Sequence, residues 1–165
     1  MVERMHPLAA LAAASSESVE VRLAALPTGA RWIIRGDTLD VGLAKPEVCR
    51  ATVNGDHALL WLGPDEFLLL APEGVNGGPM ATDVSHRDTA IEVSGPRAAL
   101  VINAFCALDL HAAAFPVGMC TRTIFAKAQI ILWRTDAETF RIEIARSFAP
   151  YVWGCLEEAR REFLA

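Results

Sequence analysis

Two apolar runs set almost back to back, Ala58-Leu59-Leu60-Trp61-Leu62 and Phe67-Leu68-Leu69-Leu70, constrain this chain more than anything else in it. Between them lies Gly63-Pro64-Asp65-Glu66. Proline presets φ for the second position of a tight turn and aspartate suits the third, so the two runs predict a β-hairpin. Neither run alternates polar with apolar residues. A strand with water on one face alternates, so this hairpin is expected to be covered on both faces.

The rest of the chain supplies material for the cover. Residues 19–26 and 31–35 read as short strands, and Thr38-Leu39-Asp40 as the opening of a further short element ended near Pro46. Residues 72–79, punctuated by proline and glycine, form a loop. Residues 89–93 alternate as a strand. Ser94-Gly95-Pro96 then opens a helix, with proline at the first position, where no N–H is needed. That helix, residues 97–108, is apolar almost all round and predicts burial on every side. Asp109 is expected to cap a second short helix that stops at Pro116. Residues 121–133 read as one long strand. Phe140, Ile142 and Ile144 alternate with Arg141 and Glu143 in a half-exposed strand, and these two strands form a second hairpin. Ser147 is expected to cap a C-terminal amphipathic helix. On it Phe148, Val152, Cys155, Leu156, Ala159 and Phe163 oppose Glu157, Glu158, Arg160, Arg161 and Glu162. This order defines an α+β protein with antiparallel sheets covered by helices. Residues 1–18, rich in Ala and Ser, are expected to be a mobile N-terminal arm, and 19–165 a single domain or two interleaved lobes.

Composition narrows the function. Apolar residues make up 53% of the chain without glycine, against about 45–50% with glycine in an average soluble domain. A chain of 165 residues buries only about two-thirds of its unfolded surface, so the surplus predicts apolar surface offered to a partner. The net charge is −5 and no run of Lys or Arg occurs, which argues against nucleic acid. Residues 98–108, the longest apolar stretch, reach about half the roughly 20 residues of a membrane span. Cys49, Cys106, Cys120 and Cys155 make no C-x-x-C pair and sit among apolar neighbours. They predict buried thiols in a reducing, cytoplasmic compartment rather than zinc or dithiol chemistry. Glu3 interrupts the basic segment that an export leader would place before residues 8–14.

No glycine-rich nucleotide loop is present. Ser85-His86-Arg87-Asp88 is the densest polar cluster, but adjacent Ser and His point to opposite sides of an extended chain and cannot readily share a proton. A turn is expected there, with an anion or partner contact as the alternative. Cys120 has no histidine or helix N-terminus beside it and reads as a structural thiol. Arg122 sits in an apolar segment. It is expected to pair with a carboxylate, Asp109 being the plausible mate, or to reach an interface or ligand. Trp61, Trp133 and Trp153 read as core, with one of them open as an interface anchor. His57 and His111 are isolated, and no metal is assigned. Nothing assembles acid, base, nucleophile and oxyanion donors, so no catalytic residue is assigned. The residues describe an α+β binding or assembly module.

Six fragments then fall in a telling order: Leu62-Gly63-Pro64-Asp65-Glu66-Phe67-Leu68-Leu69, Val84-Ser85-His86-Arg87, Ser94-Gly95-Pro96, Asp109-Leu110, Phe115-Pro116-x-Gly118-x-Cys120-x-Arg122-Thr123 and Arg146-Ser147-Phe148-x-x-Tyr151. Together they resemble the gamma subunits of heterotetrameric sarcosine oxidase, over nearly the whole chain after about residue 20. Phe67 stands where members often carry tryptophan. The resemblance implies a fold similar to folate-binding aminomethyltransferase domains. It implies a non-catalytic accessory subunit of a complex that oxidatively demethylates sarcosine to glycine. Oxygen is reduced there to hydrogen peroxide, and tetrahydrofolate accepts the one-carbon unit. FAD, FMN, NAD and tetrahydrofolate are expected on other subunits, with none on this chain. The chain is expected to pack on the alpha subunit, with beta and delta in the same complex. An alternative is a stand-alone folate-binding or one-carbon-transfer module, for which Arg87 and Arg122 are the cofactor-binding candidates. A homo-oligomer is a further reading for the isolated chain. For the interface, residues 115–122 are preferred over the 97–108 and C-terminal helices.

Overall fold

The computed structural model describes residues 6–14, 18–36 and 41–163. In chain order the elements are α1 (Ala9–Ala14), β1 (Arg22–Ala25), β2 (Ala30–Arg35), β3 (Ala51–Asn54), β4 (His57–Gly63), β5 (Glu66–Ala71), β6 (Ala81–Asp83), β7 (Asp88–Ser94), α2 (Ala98–Asn103), β8 (Cys120–Phe125), β9 (Ala128–Asp136), β10 (Thr139–Ala145) and α3 (Ala149–Arg160), with a closing 3-10 turn at Arg161–Phe163.

The predicted hairpin is β4 and β5, paired antiparallel from Ala58↔Leu70 to Gly63↔Glu66. It forms the centre of a sheet ordered β3-β4-β5-β2-β6. Both faces are covered, as the unbroken apolar runs require. On one face Leu60, Leu62, Leu68 and Leu70 pack against Cys120, Ile131 and Trp133 of a second sheet. On the other, Leu59, Phe67 and Leu69 meet Ile34, Trp32 and the loop residues Val41, Leu43 and Val75. Each fully buried leucine contributes about 1.5–3 kcal/mol relative to exposure.

The second sheet runs β1-β7-β10-β9-β8, all antiparallel. Its far face carries the helices. Ile91, Val93, Ile130, Leu132, Phe140, Ile142 and Ile144 pack under Val101 and Ile102 of α2 and under Val152, Trp153 and Leu156 of α3. The layers therefore run helices, sheet, sheet, loops. Gly95 joins β7 to α2 at φ 121, and a Cβ there would fall on the carbonyl of Glu20, so no other residue fits.

Several sequence expectations change. The stretch 121–133 is not one strand: β8 turns at Ala126 and Lys127 into β9. Ala126 takes a left-handed φ of 51 without being glycine, and its flanks Phe125 and Ala128 face one core, so the pattern looks continuous. The helix expected over 97–108 keeps helical form only over α2, and Leu100 is 53% exposed. The Asn103 side-chain amide donates to the carbonyls of Cys106 and Leu108 just beyond it, which satisfies the chain outside a helix. Asp109 accepts the His111 N–H at 2.9 Å and starts a single turn, not a helix. Ser147 does not cap α3. Its cap is Phe148, which makes no side-chain cap bond, and Pro150 in the first turn leaves one fewer N–H to satisfy. Phe148 is 47% exposed rather than core, while Trp153 and Arg160 are buried. Residues 38–40 lie outside the described residues. Within the expected arm, residues 9–14 form α1 and Leu8 is 0% exposed in the core; residues 1–5 and 15–17 lie outside the described residues.

Candidate functional site

β10 alternates in sequence as though one face met water. That face meets the other sheet instead. Glu143 is buried, and its Oε2 accepts Arg31 Nε of β2 at 2.6 Å. Its Oε1 accepts Arg141 Nε at 2.7 Å. Arg31 also donates to the Gly29 carbonyl at 3.2 Å. A carboxylate shared by two guanidinium groups thus closes the seam between the sheets.

Two clefts open beside this seam among the described residues. The first, about 510 Å³, is lined by His6, Trp32, Asp83, Ser85, Asp88 and Thr89, among others. Ser85 serves the backbone there. Its Oγ accepts the Arg31 N–H at 2.8 Å, and its own N–H donates to Asp83 Oδ1 at 2.8 Å. The hydrogen bond from the Ser85 hydroxyl, then that from its N–H, holds the Asp83 carboxyl below its ordinary value. The expected turn into β7 is therefore present, built by Asp83 and Ser85. His6 Nδ1 accepts the Leu8 N–H at 3.2 Å. That leaves the proton on Nε2, which donates to Thr89 Oγ1 at 3.1 Å.

The second cleft, about 500 Å³, brings together Arg87 and Arg122, the two candidates singled out in the sequence, with Arg35, Glu66, Asp88 and Phe148. Arg122 bonds Glu66 through both terminal nitrogens, Nη1 to Oε2 at 3.0 Å and Nη2 to Oε1. Arg35 Nη2 approaches the same carboxylate at 3.1 Å. The Arg122 hydrogen bond, opposed by burial and aided by the charges of Arg122, Arg35 and Arg87, holds Glu66 below the ordinary carboxylate range. Arg87 is forked onto Asp88, Nε at 3.1 Å and Nη2 at 2.9 Å. That hydrogen bond raises the Arg87 pKa and keeps the group charged.

Arg122 therefore pairs with a carboxylate, but with Glu66 rather than Asp109. Arg122 lies on the same face of β8 as Cys120, toward the hairpin turn, whereas Asp109 is engaged in its own turn. Sequence reasoning missed Arg31, Arg35, Glu66 and Glu143. The available signal was Glu66 itself, an acid at the tip of two covered strands. It also missed Arg134, which donates to the carbonyls of Leu110 and Phe115 and lies over the Phe140 ring.

Cys106 and Cys120 are buried as expected, whereas Cys49 and Cys155 are half-buried. Cys120 is 0% exposed, and burial pushes its pKa up to about 12. The four cysteines are unpaired with one another. Trp153 and Trp133 are buried, Trp61 half-buried. Among the described residues no group of three His, Cys, Asp or Glu is placed to hold a metal, and no helix is long and apolar enough to cross a membrane.

Two packed antiparallel sheets with helices on one outer face define an α+β domain whose fold resembles that of aminomethyltransferases. The glycine cleavage system aminomethyltransferase T from Bartonella henselae shares this fold at a TM-score of 0.61 and 14% identity, over 84% of this chain and 46% of that one. The likeness to a chain of heterotetrameric sarcosine oxidase from Corynebacterium sp. U-96, in complex with pyrrole 2-carboxylate, is much fuller. It has a TM-score of 0.85 at 30% identity, over 98% of this chain and 97% of that one. The model of the sarcosine oxidase, gamma subunit family matches residues 78–162. Sarcosine oxidase subunit gamma from Corynebacterium sp. (strain P-1) is 32% identical over 158 residues, 88% of this chain and 77% of the relative. The Arthrobacter sp subunit gamma is 32% identical over 157 residues, with the same coverage. The chain belongs to the sarcosine oxidase gamma subunit family.

Proposed function

We propose that this chain is a non-catalytic accessory subunit of a sarcosine oxidase complex and packs on its alpha subunit, with beta and delta completing the assembly. The observation that carries this reading is the likeness along nearly the full length of both chains to a chain of a heterotetramer. The surface supports it: Phe148, Tyr151, Ile124 and Val117 are between 41% and 56% exposed, side chains of a kind enriched at interfaces or costly to leave in water. On this reading the complex demethylates sarcosine oxidatively to glycine, with hydrogen peroxide formed and tetrahydrofolate accepting the one-carbon unit. FAD, FMN, NAD and tetrahydrofolate belong to the other subunits. Arg87 and Arg122 act as contact residues rather than as a cofactor site.

Native mass spectrometry of the chain co-expressed with the alpha, beta and delta subunits of its host, joined to a sarcosine-dependent peroxide assay, tests the proposal. The expected result is one heteromer containing this chain, with lower peroxide production or a less stable complex when it is omitted. A fully active, equally stable complex formed while this chain stays apart would overturn it.

A further inference from the structure

Glu66 is a single carboxylate at the meeting point of three guanidinium groups. Arg122 and Arg35 contact it directly, and the charge of Arg87 also acts on it. Asp88 neutralises Arg87. Glu143, on the cleft floor, is already held by Arg31 and Arg141. The cleft lining thus sets Arg35, Arg87 and Arg122 against Glu66, Asp88 and Glu143. With the outer partners Arg31, Arg141 and Asp65 the cluster holds five guanidinium groups against four carboxylates, a positive excess. Asp65 reaches Arg35 only at 3.7 Å from outside the lining, with both side chains at least 60% exposed, so solvent weakens that pair. This local excess stands out in a chain of net charge −5.

The arginines are also prepared for a second anion. Arg87 and Arg35 are each 60% exposed and Arg122 36%. Their internal partners fix the guanidinium planes and take up fewer than the five N–H donors that each guanidinium carries, which lowers the ordering cost of binding a further acceptor. Beside the rim lies an apolar strip. Phe148 lines the cleft at 47% exposure, and Tyr151, one turn along α3, is 41% exposed. Ile124, 56% exposed, pairs in register with Gln129 of the cleft wall. A small free anion has no use for such a strip. Arginine beside aromatic and aliphatic side chains is the composition of a protein interface.

We propose that this cleft docks an acidic segment of a partner subunit. A carboxylate of the segment takes the remaining donors of Arg35, Arg87 and Arg122, and an apolar neighbour in it packs on Phe148 and Ile124. The docking role presupposes the assembly role proposed above and assigns it a face, which shares Arg122 with the residues 115–122 expected from sequence.

The test uses the co-expressed complex and reads the dissociation constant of this chain from the remaining subunits at low and high salt. Arg87→Glu and Phe148→Ala are each expected to weaken association about tenfold or more. Arg87→Lys should keep most of the affinity, and Leu100→Ala, exposed on α2, should leave it unchanged. Arg87→Glu should also flatten the salt dependence, because a screened attraction has been removed. Circular dichroism of each isolated variant checks folding, and Phe148→Ala carries the test alone if Arg87→Glu misfolds. Folded variants that assemble with wild-type affinity and salt dependence overturn the cleft as the docking face. A wild-type chain that does not assemble at all overturns the assembly role itself, and the docking face with it.

Discussion

Arg31 on β2 and Glu143 on β10 meet at 2.6 Å between the two sheets, with side chains 2% and 1% exposed. They are 112 residues apart in the chain. Of the two ion pairs described across the seam theirs is the buried one, Arg122–Glu66 being more exposed, so it helps fix how one sheet sits on the other where the neighbouring contacts are apolar side chains.

Removing one member should therefore cost more than removing both. Glu143→Ala leaves Arg31 charged and buried, an arrangement that destabilises by about 3–5 kcal/mol. Arg31→Met with Glu143→Leu replaces the pair by apolar bulk and should lie within about 1–2 kcal/mol of wild type, or above it. Arg141, 24% exposed, can turn to solvent in that double variant. Urea denaturation of the three proteins gives the comparison. Equal losses for the single and double variants would remove the pair from any role in sheet docking.

Acid should loosen the hairpin tip. Glu66 has a folded-state pKa held below its ordinary value of 4.5 by the Arg122 hydrogen bond. A carboxylate of lowered folded pKa binds protons more readily in the unfolded chain. Its stabilising contribution is complete above pH 4.5 and is lost as pH falls through the lower folded-state value. The acid limb of the stability curve should be shallower in Glu66→Gln than in wild type, with a remaining slope to which Asp83, also lowered, contributes. Thermal unfolding between pH 3 and 6, monitored by circular dichroism, checks this; superimposable acid limbs would refute it.

How far the sequence reaches is visible in these residues. The β4–β5 hairpin was legible because turn chemistry and apolar runs are local, and its double cover followed from the absence of alternation. The α+β order and the buried thiol of Cys120 were legible for the same reason. The turn at Ala126 was not, since its left-handed residue is neither glycine nor asparagine and the apolar rhythm runs through it. The ion pairs were not either. Glu143 alternates like a solvent-facing residue, and only the β3-β4-β5-β2-β6 sheet, formed from distant sequence, turns its outer face into an interior. Arg122 announced a carboxylate partner, but whether that was Asp109 or Glu66 depended on how the sheets stack.

Cysteine labelling separates structural from accessible thiols. Burial raises the Cys120 pKa to about 12, and its Sγ lies 3.6 Å from the Trp61 carbonyl. The thiolate is the reacting species, so at pH 8 this position should resist iodoacetamide in the folded protein. Cys106, 2% exposed, should resist by lack of access. Half-buried Cys49 and Cys155 should label first. Peptide mass spectrometry of native and urea-unfolded protein reads all four. Early native labelling of Cys120 would contradict the buried-thiol assignment.

Arg134 shows why charge alone does not describe an arginine. Its Nη1 donates to the carbonyls of Leu110 at 3.2 Å and Phe115 at 2.9 Å, its Nη2 to that of Ala137, and its guanidinium lies 5.0 Å from the Phe140 ring centre. The side chain thus anchors the loop that leads into β8 and places Arg122 at the cleft. Lysine retains the charge but loses the planar fork, so it cannot reach these carbonyls together. Arg134→Lys should destabilise by about 1–3 kcal/mol, since buried carbonyls lose their donors. It should also raise amide hydrogen exchange over 109–119 before exchange rises in β4 or β5. Exchange mass spectrometry distinguishes this local release from general destabilisation. A uniform rise across both sheets would mean that Arg134 supports the core and not the loop.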